Sequence, residues 1–489
     1  MRCVLLHFYE STGWQPWGVG ERPVIPEGMP VLIDEDFQFE DAAGPRPSRA
    51  VNAWLRSLPS SGAPAANTWR VYAQALRDWL VHLGLHGLSP FSCRVDLVAA
   101  LGTYADRRLC GPVSERLAGS SWGVQMTAVA AFYEWAEAEG YAEAAPFTTA
   151  VVQRVTDERV RAVRRNYAKL RRAKPHVGIK YVQADFAELF CRSLAGLAPD
   201  GMENPAFRGW YPGRNSAVAR LVLSTGLRRR EFTHLLVHEV PPLPSEPTEV
   251  PILFPVPELA AKGRRPRLTW IDYDALVAVH TYMRLERAVS AASASWRPED
   301  PLVVTEPDLF GARVNGRRTA WSALTPAERR RLVEPGGGSS LLAISRGGRP
   351  FLDWATVFRR ASRRIRASVE PRFPDVHPHR LRHSFAMATL ERLVTGHYQR
   401  AAELVAAAGG DAALAFYLTK ADPLEILRDL LGHSSVTTTE IYLKRLDVHR
   451  IYRAAYERAG QRAGQVDPAV DAEVDAEFAD EFGESGEEV

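Results

Sequence analysis

The sequence predicts a mainly α protein with a small β-sheet, divided into two domains. Three observations predict it. At 489 residues the chain exceeds one ordinary domain, and its 46% hydrophobic content is ample for more than one core. Apolar residues between Pro47 and Phe147 recur at three- and four-residue steps, the period of a helix face. Prolines break the stretch from Pro241 to Arg267, which ends among β-prone pieces, Ile252-Leu253-Phe254 and Leu268-Thr269-Trp270-Ile271.

Taken in order, residues 1–45 are rich in Pro, Gly and acids and read as an irregular leader. Residues 46–150 read as about four helices. Trp54, Leu55 and Leu58 form one cluster, Trp69, Tyr72, Leu76, Trp79 and Leu80 a second face, and Val124, Val129, Phe132, Tyr133 and Trp135 a third, closed by Gly140. Residues 151–180 read as a basic linker: nine Lys or Arg lie between 154 and 174, against Asp157 and Glu158. The second domain, 181–460, opens with helices over Ala184–Leu197 and Asn215–Ser224. It then carries the small sheet, a loop-rich stretch over 293–350, and an arginine-rich helix from Trp354 to Val369. Residues 461–489 read as a disordered acidic tail.

The formal charge of +3 hides an asymmetry. Residues 467–489 hold ten acids and no Lys or Arg; without them 61 basic residues face 48 acidic ones, a net of +13. A basic body of this kind suits a polyanion, although an arginine-rich solvated surface gives the same count. Cys3, Cys93, Cys110 and Cys191 match no metal or disulfide spacing and read as reduced thiols of a cytoplasmic protein. No signal peptide opens the chain and no run of eighteen apolar residues occurs, so no membrane partner is expected.

Five patches carry chemistry. Thr225-Gly226-Leu227-Arg228 ends one helix and starts another, placing Arg228 at a helix N-terminus, a natural anion site, with Glu231 one turn on to hold the arginine or a histidine in place. Lys262-Gly263-Arg264-Arg265 fits a β-turn tip whose lysine can protonate a leaving oxygen or simply bind a phosphate backbone. His379-Arg380-Leu381-Arg382-His383 puts two histidines on one helical face. Zinc is disfavoured there, because Arg380 stands where a His-Glu-x-x-His motif needs its glutamate and Arg382 repels a cation. Leu431-Gly432-His433 precedes a Thr437–Glu440 capping box, which predicts a helix from Thr437 with Tyr442 one turn in. A phenol of ordinary pKa, about 10, needs positive neighbours to act as a nucleophile. Taken singly, each patch also fits a plain reading: a surface arginine, a basic turn, a core tyrosine.

Taken together and in order, the patches resemble the tyrosine recombinase (phage integrase) family over roughly residues 46–460. The matching residues are Arg228, Lys262, His379, Arg382, His433 and Tyr442, with Glu231 and His383 in support. The resemblance implies a two-domain DNA clamp, in which a helical core-binding domain faces a mixed α/β catalytic domain. It implies a site-specific recombinase in which Tyr442 attacks a scissile phosphate. The product is a 3′-phosphotyrosine, which a partner strand's 5′-hydroxyl resolves without metal, ATP or other cofactor. It also implies double-stranded DNA as substrate, a homo-tetramer on paired sites, room for an accessory DNA-bending or directionality protein, and a place at the nucleoid. Arg161, Arg164, Arg165, Arg171, Arg172, Arg264 and Arg265 are the expected backbone-binding residues.

Two departures stand out. Fifty positions separate His383 from His433, the excess being an Ala-rich stretch about Thr395 to Ala421 that should add a helix. The acidic first 45 residues speak against the basic arm-binding module that phage integrases often carry. Three rival readings remain: type IB topoisomerase-like nicking and religation, an idle DNA-binding protein of the same fold, and a two-metal nuclease, for which no carboxylate cluster is evident. The acidic tail is a candidate mask for the basic face when DNA is absent.

Overall fold

The computed structural model describes residues 4–10, 25–26, 28–42, 44–63, 65–156, 159–169, 180–259, 261, 266–396, 422–433 and 436–445, with backbone alone at 152, 154–156, 159–165, 437 and 444–445. The chain divides into two compact units, Met1–His176 and Val177–Val489.

The first unit is four helices, α1 (Pro47–Ser57), α2 (Ala66–Leu85), α3 (Arg94–Leu109) and α4 (Gly119–Ala138), around an aromatic core. Pro47 opens α1 at a position where a missing N–H costs nothing. Trp69, Ala73, Leu76, Trp79, Leu80 and Leu83 make the buried face of α2. Trp54 stacks on Tyr72 and meets Phe132 edge-on.

The leader is not wholly irregular. Strands β1 (Val4–Phe8) and β2 (Pro30–Asp34) pair antiparallel, and Val4, Met29 and Leu32 join the helical core. The Asn52 side chain donates to Leu32 O and accepts from Leu32 N, both at 2.8 Å, fixing β2 to α1. Two short strands, β3 (Glu40–Asp41) and β4 (Gly44–Pro45), follow. The basic stretch also holds regular structure. Its first part forms a long antiparallel hairpin, β5 (Thr149–Thr156) against β6 (Arg159–Asn166). Its valines, at 151, 152, 155, 160 and 163, favour a strand that the charge count concealed. Arg161, Arg164 and Arg165 lie on β6; Arg171 and Arg172 lie outside the described residues.

In the second unit, α5 (Ala184–Ala195), α6 (Pro212–Thr225) and α7 (Arg229–Thr233) lead to the expected strand pair, β7 (Ile252–Val256) against β8 (Arg267–Ile271). Next come α8 (Tyr273–Tyr282), a π-turn over Met283–Arg287, and α9 (Ala288–Ala292). The stretch read as loops then holds a four-stranded sheet. Its order is β11 (Arg317–Ala320), β10 (Gly311–Val314), β9 (Leu302–Thr305) and β12 (Leu332–Val333), with α10 (Pro326–Arg331) before β12. These strands are four residues or fewer, too short for their period to show through the turn residues. A two-residue pair, β13 (Ile344–Ser345) and β14 (Arg349–Pro350), precedes α11 (Trp354–Ser368), α12 (Pro378–Val394) and α13 (Pro423–Leu431).

The main core packs Phe190, Leu221, Val222, Phe254, Trp354, Phe358 and Leu381. A second cluster joins Trp270, Phe385, Leu390, Ile426, Leu427, Leu430 and Tyr442, and so ties β8, α12 and α13 to the tyrosine. The expected α-helix from Thr437 is instead two 3₁₀ turns, Val436–Thr438 and Glu440–Arg445. The Tyr442 N–H donates to Thr439 O at 3.0 Å, the tighter i→i−3 pattern. Most of the stretch expected to add a helix, 397–421, lies outside the described residues, as does the acidic tail. No helix among the described residues is long and apolar enough to cross a membrane.

Candidate phosphate-directed site

The site begins where α6 ends. Gly226 takes a left-handed φ of 62°, and a Cβ there would lie 2.2 Å from Phe385 Cδ1, so the turn accepts only glycine. Thr225 O accepts from Thr269 Oγ1 at 2.7 Å, which docks β8 against the turn. The chain then enters α7 with Arg228 as its N-cap residue. The Arg228 N–H donates to Glu231 Oε2 at 2.8 Å, and its guanidinium donates to Glu231 Oε1 at 3.1 Å and to Gly432 O at 3.1 Å.

Glu231 is buried, yet it binds a second arginine as well. Arg267, the first residue of β8, donates Nη1 to Oε1 at 2.9 Å and Nη2 to Oε2 at 2.6 Å, and its Nε reaches Leu430 O at 3.0 Å. Burial opposes the charge on Glu231 most strongly, but the Arg267 hydrogen bonds and charge, aided by Arg228, bring its carboxyl down to about 2. Gly432, also left-handed at φ 60°, packs on this arginine: a Cβ there would stand 2.8 Å from Arg267 Cδ.

The third guanidinium comes from α12. Pro378 opens that helix, and the His377 side chain caps it by accepting from the Arg380 N–H. Arg382 is buried and donates to Gly226 O and Leu431 O, the carbonyls at the ends of α6 and α13. Burial above all, then the like charges of Arg228 and Arg267, pull its pKa to about 9.

One turn apart on α12, the rings of His379 and His383 meet edge-on at 4.3 Å. His383 Nδ1 lies 2.8 Å from the Tyr442 hydroxyl, and Tyr442 is only 2% exposed. Burial pushes the phenol up to about 12, against the opposing pull of Arg382 and Arg228. His433 Nδ1 lies 3.1 Å from Thr439 Oγ1, on the turn that carries Tyr442. Burial, followed by neighbouring positive charge, lowers His383 and His433 to about 4 and also lowers His379. The histidines are therefore neutral at pH 7.

The structure thus brings Arg228, Glu231, His379, Arg382, His383, His433 and Tyr442 together. Lys262, Arg264 and Arg265 lie outside the described residues, between β7 and β8. Arg267 is the residue that sequence reasoning missed. It closes the basic run after Pro266, and nothing in the sequence sets it apart from its neighbours. Three guanidiniums stand here against one carboxylate, which bonds two of them, a surplus of positive charge in a largely desolvated pocket. Such a pocket favours an anion carrying two or more oxygens. Among the described residues no three His, Cys, Asp or Glu side chains gather as a metal site.

No family model matches the chain. Tyrosine recombinase XerC of Nitrobacter winogradskyi is 27% identical to it over 252 residues, covering 51% of this chain and 52% of that protein. The chain therefore spans about half the length of this curated relative. Among solved structures, XerA recombinase aligns with a TM-score of 0.31 at 17% identity, over 84% of this chain and 97% of that one. XerH recombinase bound to palindromic difH, a post-cleavage complex, aligns at 0.43 and 15%, over 83% and 84%. The fold is mainly helical with small sheets, and its site gathers a buried tyrosine, arginines and neutral histidines. Over about half its length the chain is thus similar in sequence to a tyrosine recombinase.

Proposed function

We propose that this chain is a site-specific DNA strand transferase that cuts and rejoins double-stranded DNA through a 3′-phosphotyrosine on Tyr442. One observation carries the proposal. The Tyr442 hydroxyl is hydrogen-bonded to a neutral histidine in a pocket where three arginines outnumber a single carboxylate.

In the attack, a Tyr442 Oη–P bond forms as the P–O5′ bond breaks. The phenolic proton passes to His383 Nδ1, which neutrality leaves able to accept it. Arg228 and Arg382 face the non-bridging oxygens, whose negative charge grows in the pentacoordinate transition state. The bonds of Arg382 to Gly226 O and Leu431 O use two of its five N–H donors. His379 and His433 supply further neutral donors, and Lys262 is assigned the proton for the departing 5′ oxygen. A 5′-hydroxyl of the partner strand then attacks the phosphotyrosine, and the phenol leaves with its proton restored. One phosphodiester is exchanged for another, so the scheme calls for no ATP. The guanidiniums meet the developing charge, so it calls for no metal.

We assign the helical first unit as a second DNA-contacting module, the two units acting as a clamp. Arg161, Arg164, Arg165, Arg171, Arg172, Arg264 and Arg265 are assigned to the phosphate backbone. Assembly as a tetramer on paired sites, a place in the cytoplasm at the nucleoid, and recruitment of a DNA-bending or directionality protein belong to the same proposal.

A nicked suicide substrate tests it. Wild-type chain should remain covalently attached in the presence of EDTA. Tyr442→Phe should lose the adduct while retaining DNA binding; an adduct surviving that change overturns the nucleophile. Exchange between two labelled sites, as opposed to relaxation and religation of one, separates recombination from topoisomerase-like action.

A further inference from the structure

A groove in the second unit, apart from the tyrosine site, holds a charge and shape that strand transfer does not use. Its cavity of about 490 Å³ is lined by four arginines, Arg208, Arg214, Arg360 and Arg364, and by no carboxylate. Its walls include Phe207, Trp210, Tyr211 and Phe351. Arg214 lies at its floor, 2% exposed. Its guanidinium donates to Asn215 Oδ1 at 2.9 and 3.1 Å and to Ile344 O at 2.9 Å, and stands 3.7 Å over the Phe351 ring. Arg364 donates to Ser193 Oγ at 2.9 Å and lies 4.9 Å over Phe207. One turn earlier on α11, Arg360 is exposed. Among the described residues no carboxylate bonds any of the four guanidiniums; Glu286 Oε1 accepts only from the Arg214 backbone N–H, at 3.1 Å. Trp210 at the rim is 76% exposed, a large apolar surface left to solvent.

We propose that this groove is the docking site of the chain's own acidic C-terminal segment, Asp467–Val489. That segment offers what the groove lacks: ten carboxylates, no Lys or Arg, and two phenylalanines. In Glu477-Phe478-Ala479-Asp480-Glu481-Phe482-Gly483-Glu484 each ring is bracketed by acids, matching aromatic walls bracketed by arginines. A DNA duplex backbone could meet the outer arginines but would leave the aromatic walls uncovered. Reach is sufficient. The 21 residues from Leu446 to Val466 span up to about 70 Å when extended, beyond the roughly 50 Å breadth of a unit this size. Docking sets ten negative charges on the unit that bears the tyrosine site. It therefore weakens nonspecific attraction to DNA, and salt releases it.

The test uses the full chain with a photoreactive benzoylphenylalanine at Phe482 and peptide mapping of the adducts. Irradiation at low salt should join position 482 to residues 205–215 or 351–364 within one chain, with a yield unchanged on dilution. Arg360→Glu, at an exposed position, should cut that yield about tenfold, one attraction having become a repulsion; Arg360→Lys should retain most of it. Tyr442→Phe should leave the yield unchanged, which keeps this inference separable from the strand-transfer reading. Four results would each overturn it: no adduct, adducts only between differently tagged copies, adducts at 228–231 or 377–383, and a yield indifferent to Arg360→Glu.

Discussion

Two buried arginines of the second unit are treated in opposite ways. Arg329 is fully buried and neutralised: the Glu239 carboxylate accepts from it twice, at 2.6 and 2.8 Å, while Leu324 O, His234 O and Trp321 O accept its other N–H bonds. Arg382 is 3% exposed and bonds only carbonyls among the described residues, with Arg228 and Arg267 adding like charge. The nearby carboxylate, Glu231, is committed to those other two arginines. A guanidinium neutralised inside the fold holds the fold together. One left in surplus is poised for an anion the fold does not contain, and the contrast separates structure from chemistry without reference to any relative.

The largest effect should come from breaking the neutralised pair. Arg329→Met leaves Glu239 buried and unpaired and should cost about 3–5 kcal/mol, read as a lower urea midpoint. Cleavage per folded molecule should hardly change. Arg382→Met should do the reverse. Two carbonyl bonds are lost but a desolvated, repelled charge disappears, so stability should move by no more than about 1 kcal/mol. Adduct formation on a suicide substrate should fall about 10²–10³-fold, the usual effect of removing one group that stabilises transition-state charge. Equal losses of stability in the two variants would dissolve the contrast.

Arg267 sharpens the same comparison from the side of positioning. It touches no proposed reacting atom, but it grips Glu231, which in turn fixes Arg228. Arg267→Ala should slow adduct formation by up to about 10²-fold through misplacement of Arg228. Affinity for uncleaved DNA, measured in a Tyr442→Phe background, should stay nearly constant. Arg267→Lys should recover little, since an ammonium cannot reproduce the paired bonds to both Glu231 oxygens. Gly432→Ala should act in the same direction more weakly, because its methyl group presses on Arg267 Cδ and its left-handed backbone is strained.

What the sequence disclosed depended on how each residue does its work. The turn at Gly226 and the helical spacing of His379 and His383 are local properties, and α6, α7 and α12 follow them. Arg228, Arg382 and Tyr442 could be singled out because each sits in a patterned patch. Arg267 could not: its role exists only because β8 crosses beside α7 and α13, a relation between segments more than thirty positions apart. Strand β6 was hidden for another reason, its arginines outweighing its two valines, and the sheet β9–β12 because its strands are so short. The capping box at Thr437 promised an α-helix. The described turns are 3₁₀, with Thr439 held by His433, and this contact across the site shapes the turn where propensity alone would not.

The smallest effect is also the most direct probe of the surplus charge. His433 has its pKa lowered from 6.5 to about 4, chiefly by burial and then by Arg382, Arg228 and Arg267. Its folded-state value is depressed, so below about pH 6.5 the unfolded chain takes up a proton that the native site refuses. The stability contribution is complete above pH 6.5 and is lost as pH falls toward 4. An anion among the arginines weakens that refusal by offsetting the charge that adds to burial in keeping His433 neutral. DNA binding should then be accompanied by proton uptake, and affinity at fixed salt should rise modestly as pH falls from 7 to 5. His433→Asn, which keeps a polar group near Thr439, should flatten both the fall in melting temperature and the rise in affinity. Titration of binding heat in buffers of differing ionisation enthalpy reads the proton count directly. A count that is the same for wild type and His433→Asn would mean that the bound phosphate does not sit among these arginines.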